Sequence, residues 1–406
     1  MTRGTGVSRW VLVAVAAVGV GMAGTYQFVW SSIRVPVSAR TGASETALGT
    51  VFTLFVIFQA SAQFPAGWVR DRVGPRLPLA GGSLLLVVGY VGTAWAESVT
   101  GASLCYALGG VGAGTVYAVA INTPAKWFDE RRGLATGLVG FAYAGVSFLL
   151  IPLVRGRITS DFAGTMLGLA ALVAVAMLVG IPFFRDPDTS SPADGAEQGG
   201  DGSSARDGEA EYTWREAVRT WQFWLLYGIF VIVNGVGLMI VGKAVAFAEA
   251  TGLPTTAATA AASLVALGDS AGVIVGGVVS DRVGRVPTIA LSLVACGACL
   301  AGASFVAVGG VAAGYVGLIA AASFFRSPVF SVIPSLVGDY YGTSHNSETY
   351  ALLYSSKLWG GVVGGTVTSG LVVLLGWQPT FLLGAGLLLV AAAATGLLRP
   401  VDPSPQ

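Results

Sequence analysis

Charge is scarce in this chain of 406 residues. Asp, Glu, Lys and Arg together make up 11% of it, against roughly a quarter in an ordinary soluble domain. So little charge excludes a dispersed soluble protein of this length. The formal net charge is +1, so no basic field points to nucleic acid. Histidine is nearly absent: His345 is the single copy, and its polar neighbours place it in a loop rather than at a base. Cysteine is limited to Cys105, Cys296 and Cys299, all inside apolar runs. Cys296 and Cys299 form a C-x-x-C, but the surrounding Leu, Val and Ala supply no further ligands. They read as two small residues on one helix face, not as a metal or redox site. No nucleophile triad or phosphate loop is evident, so neither an enzyme nor a cofactor is expected.

What fills the chain instead is apolar: 54% hydrophobic residues and 58 glycines. A membrane span needs ~20 largely apolar residues. Twelve stretches qualify, near 10–33, 46–66, 77–96, 101–123, 134–154, 163–184, 221–247, 257–279, 287–307, 310–336, 349–375 and 377–398. In lipid each must satisfy its own backbone, so all twelve are expected to be helices. The first run outlasts the ~7–15 residues of a signal core and is read as a retained span. Glycines let helices approach closely, most densely at Gly109, Gly110, Gly112 and Gly114. With twelve spans and the N-terminus inside, fifteen basic residues fall on the inner side and four on the outer. Both termini are therefore expected in the cytoplasm, with the chain in the cell membrane. Residues 186–211 hold eight acids and one Arg among Gly and Ser, the composition of a solvated tether. The expected organisation is a six-helix half over 1–184, an acidic linker over 185–218 and a second six-helix half over 219–406.

The two halves carry the same motif. Gly67-Trp-Val-Arg-Asp71-Arg72-Val-Gly74-Pro-Arg76 follows the second span; Gly277-Val-Val-Ser-Asp281-Arg282-Val-Gly284-Arg285 follows the eighth. The copies lie 210 positions apart at matching topological places. This pattern resembles the signature loop of the major facilitator superfamily, which implies an all-α membrane protein of two pseudo-symmetric six-helix halves. Glycine suits a tight turn and close contact. The Asp and Arg residues are expected to tie the two halves together in one conformation and to release in the other.

Charges inside spans are costly and are functional candidates by default. They are Asp269, Arg326 and Lys357, with Lys243 and Arg34 nearer the edges. Tyr350, Tyr354, Lys357 and Gly361 share one helical face, which suits an anion: an ammonium, two hydroxyls, and a glycine making room. Gln27, Ser31 and Arg34 form a polar stripe beside Tyr26 and Trp30 on the first span. Tyr117 follows the glycine-rich face of the fourth. The segments Gly24–Ser31, Gly112–Tyr117, Lys126–Gly137, Asn234–Ile240 and Pro334–Gly342 resemble the oxalate:formate antiporter family, a relative of the monocarboxylate transporters. In that resemblance Tyr354-Ser-Ser-Lys357 matches the segment with the substrate-binding lysine. The sequence departs from it at the eighth span, where the family's arginine would fall near Val273; Arg326 on the tenth span is the candidate replacement. The resemblance implies secondary transport of a small organic anion, a mono- or dicarboxylate, by antiport or by symport with protons, in a monomer. Lys357 and Arg326 disfavour the alternative of a drug exporter that attracts cations. The linker is too short to hold the soluble domain that a membrane sensor would add.

Overall fold

The computed structural model describes residues 9–123, 132–185, 212–342 and 346–401. Among these, twelve helices are long and apolar enough to cross a membrane. They are α1 (Arg9–Phe28), α2 (Glu45–Val73), α3 (Arg76–Ala94), α4 (Val99–Asn122), α5 (Arg132–Arg157) and α6 (Phe162–Gly180). The second set is α7 (Trp221–Ala250), α8 (Thr255–Val283), α9 (Arg285–Val308), α10 (Ala312–Tyr341), α11 (Glu348–Leu375) and α12 (Trp377–Thr395). The acidic tether 186–211, His345 and most of the Lys126–Gly137 segment lie outside the described residues. With an even number of spans both chain ends share one face, here called the terminal face; the opposite one is the far face.

Three spans deviate from plain α-helix. After α1 the chain bends at Val29 and continues as Trp30–Thr41, which carries Arg34. Within α10, Ala312–Arg326 gives way at Ser327 to Pro328–Tyr341, because Pro328 lacks the N–H that would continue the ladder. Within α11, a π-helical turn spans Val363–Val367.

The glycines of α4 act as expected. A Cβ on Gly110 would meet the Phe55 carbonyl oxygen at 2.5 Å, and one on Gly114 would meet that of Gln59 at 2.1 Å. The backbones of α2 and α4 therefore touch, which only glycine permits. The repeated motif departs from the expected loop. Residues 67–73 and 277–283 are the last turns of α2 and α8, and the turn itself is confined to Gly74 (φ +81) and Gly284 (φ +98). Those two positive φ values are where glycine is required.

The motif's charges have partners of their own. Arg72 donates to the Trp68 carbonyl and lies 3.6 Å from that ring's centroid. Arg76 donates to the carbonyls of Phe184 and Pro182, and Arg285 pairs with Asp339 at 2.9 Å. These ties stay within one set of six helices; Asp281 and Arg282 are exposed, and the Asp71 side chain lies outside the described residues. The contacts joining α1–α6 to α7–α12 cluster toward the far face instead. Thr53 of α2 bonds the Gly361 carbonyl of α11 at 2.9 Å, and Arg155 of α5 reaches Glu249 and Thr259 at 2.7 Å each.

Candidate binding cavity

A cavity of about 650 Å³ lies between the two sets of helices. It begins beneath the far-face contacts and extends toward the terminal face, where Gln63, Ile121 and Pro334 line it. Its polar floor comes from α7, α8, α10 and α11. Asp269 stands midway along α8 and accepts hydrogen bonds from Arg326 and from the Ser327 hydroxyl. The break in α10 puts both donors at one level. The Arg326 guanidinium also lies 5.0 Å from the centroid of Phe330, and its Nε has no acceptor among the described residues. Close packing holds the pair in place, for Gly237 of α7 leaves room for the guanidinium and Gly272 of α8 lies against the Phe324 carbonyl.

Lys357 projects into the same cavity from α11 and is 7% exposed. Its Nζ lies 5.8 Å from the Tyr354 ring centroid. Among the described residues no hydrogen bond or ion pair holds this ammonium. The ammonium is therefore left facing the cavity. Tyr350 and Tyr354 join Lys357 on the wall, 5.8 Å apart between ring centroids. Gly361 does not make room for them: a Cβ there would strike Val56 of α2 at 2.8 Å. It serves the contact between helices.

The opposite wall is neutral and polar. Tyr143 of α5 donates to the Gln27 side-chain oxygen at 2.9 Å and accepts from the Gln59 amide at 2.5 Å; Tyr117 packs edge-on against it at 5.1 Å. The cavity thus brings together Gln27, Tyr117, Asp269, Arg326, Tyr354 and Lys357 of the residues singled out in the sequence. Two lie elsewhere. Tyr26 is fully buried within the first set of helices, donating to the Leu86 carbonyl at 3.0 Å and packed on Tyr90 and Tyr106. Arg34, past the bend at Val29, sits at the far face against Glu45. Tyr143 and Gln59 were not visible in the sequence, because neutral polar residues in apolar runs carry no penalty large enough to mark them.

The sequence profile described as the Major Facilitator Superfamily matches residues 10–246 and 230–406. The chain belongs to the major facilitator superfamily. It is a transporter, a multi-pass membrane protein and not an enzyme. It is 28% identical to the oxalate:formate antiporter of Oxalobacter formigenes over 394 residues, covering 97% of this chain and 92% of that one. It is 24% identical to the uncharacterized transporter YhjX of Escherichia coli K12, over 80% of this chain and 79% of that one. In fold it is similar to a bacterial homolog of the human lysosomal transporter Spinster, solved inward-facing and unoccupied. There the TM-score is 0.75 and the identity 14%, with 97% of each chain covered.

Proposed function

We infer that this transporter carries a small organic monoanion, a monocarboxylate, by alternating access, with Lys357 as its principal ligand. The observation that carries this reading is the unpaired, buried Lys357 ammonium in a cavity whose other cation is already matched. Lys357 and Arg326 contribute two positive charges and Asp269 one negative, which leaves +1 for the substrate to neutralise. Tyr350 and Tyr354 offer hydroxyls and aromatic faces beside the ammonium. A dicarboxylate such as the oxalate named for the Oxalobacter relative is less well served. The position where the resemblance places an arginine is Val273, an apolar part of the cavity wall. The excess of basic residues on the terminal face supports a cytoplasmic position for that face, and on that orientation this conformation is open inward.

Lys357→Ala tests the reading. Removing one partner of a buried charged contact costs ~2–5 kcal/mol, so carboxylate uptake into proteoliposomes should fall at least tenfold while the purified variant keeps its melting temperature. Transport at the wild-type rate and KM would overturn the assignment of the cavity to an anion.

A further inference from the structure

At the far face a second group of charges is buried between the two sets of helices. The Glu45 carboxylate, at the start of α2, accepts from Arg34 through Nη2 and from the Lys243 ammonium of α7 at 2.5 Å. Lys243 also donates to the Ser369 hydroxyl of α11 at 2.6 Å. The Arg34 guanidinium lies 6.0 Å from the Trp377 ring centroid, and the α7 backbone at Gly242 packs on Phe52 and Trp30.

Three features separate this group from a structural ion pair. Two cations share one carboxylate, so a charge of +1 is left buried. Among the described residues the Arg34 Nε has no acceptor, although the Arg34 side chain is only 2% exposed. Exposure is also ordered: Lys243 keeps 2% of its side-chain surface and Glu45 keeps 21%. The carboxylate is therefore the outermost member, with the cations behind it. The composition repeats that of the central cavity, where two cations, one carboxylate, a serine hydroxyl and aromatic rings also meet.

We propose that Arg34 and Lys243 form a second carboxylate-binding site on the far side of the transport path, occupied in this conformation by the protein's own Glu45. This assignment rests on the carboxylate reading of the central cavity. Arg34 and Glu45 belong to the first set of helices, Lys243 and Ser369 to the second. Parting of the far face takes Glu45 off Lys243 and leaves that ammonium with Ser369 of its own half, open to an anion from the far side. A substrate carboxylate takes the place of Glu45 there. It meets one cation at the entrance and Lys357 below, and Glu45 closes behind it as the halves return.

Removing the internal carboxylate should unmask the site in the full-length protein. Calorimetric titrations with sodium acetate, and with sodium chloride at matched ionic strength, are made on four proteins. The wild type should show one acetate site, Glu45→Gln two, Lys357→Ala none, and the double variant Glu45→Gln/Lys357→Ala one. Adding Lys243→Ala to that double variant should weaken its remaining site about tenfold or more, the loss of one charged hydrogen bond. If Glu45→Gln does not survive purification, Glu45→Asp keeps the charge but is too short to reach both cations. It should show a second, weaker acetate site. Absence of acetate binding in the folded double variant, and in Glu45→Asp/Lys357→Ala, overturns the proposal. Chloride binding as tight as acetate overturns the carboxylate assignment. Loss of the wild-type site alone would instead count against the reading of the central cavity, since the double variant lacks Lys357.

Discussion

At the scale of single residues, Asp269 is the place to test whether substrate and protons are linked. Isolated in a span, a carboxylate favours its neutral form; beside a guanidinium it favours the charged one. In this structure Arg326 and Ser327 both donate to the Asp269 carboxylate. If the substrate carboxylate draws Arg326 away as it settles on Lys357, Asp269 loses its partner, which opens a place for a proton. Monoanion and proton then move together with no net charge. In proteoliposomes with an inward substrate gradient, the wild type should acidify the lumen. Asp269→Asn, which mimics the protonated form, should exchange substrate without moving protons. Wild-type uptake indifferent to a pH gradient would leave Asp269 only a counter-ion. Asp269, Arg326 and Lys357 stand out in the sequence because charge within an apolar run needs a reason. Glu45 does not, since it begins a span and looks like an ordinary helix start. Its partner Lys243 lies 198 positions away, a distance no local pattern bridges.

At the scale of elements, α11 joins the site to the far face. Thr53 of α2 inserts its hydroxyl between the Gly361 carbonyl, 2.9 Å away, and the Thr366 N–H, 3.0 Å away. Those two groups are five residues apart, so a side chain from the opposite half stands inside the hydrogen-bond ladder and widens it into the π turn at Val363–Val367. Lys357 lies less than two turns before that point. A tighter turn would rotate it relative to the far-face end of α11. Thr53→Val keeps the shape and removes the bridge. It should leave the fold intact, raise hydrogen exchange at Gly361–Val367 and shift substrate affinity severalfold. Unchanged exchange there would mean that the π turn is held by α11 alone. The spans themselves were readable to within a few residues, because length and apolarity are imposed by the bilayer. The π turn was not, since it follows from a threonine on another helix. Residues 67–73 were misplaced into a loop because their Arg and Asp break the apolar run while the helix continues beneath them.

For the whole molecule, the asymmetry between the two faces is itself a statement about the cycle. On the far face α2 and α11 are jammed together: a Cβ on Gly365 would meet the Thr53 hydroxyl at 2.1 Å, and one on Gly49 would meet that of Ser369 at 2.1 Å. Toward the terminal face a Cβ on Gly67 of the same α2 would meet nothing within 4 Å. A substrate cannot pass a cavity open at one end only, and on the alternating-access reading the terminal face closes when the far face opens. Rocking of one half against the other brings the terminal-face end of α2 inward as its far-face end moves out. Gly67 is then a position with room in this conformation and contact in the other. Gly67→Leu should leave the melting temperature of the purified protein unchanged and its equilibrium carboxylate affinity within a few fold of wild type. Its exchange rate in proteoliposomes should drop at least tenfold, and a cysteine on the terminal-face part of the cavity should stay open to labelling with substrate bound. A variant that binds poorly but turns over at the normal rate would place Gly67 in the binding site instead. The closing contact would then have to be made by other residues of the repeated motif.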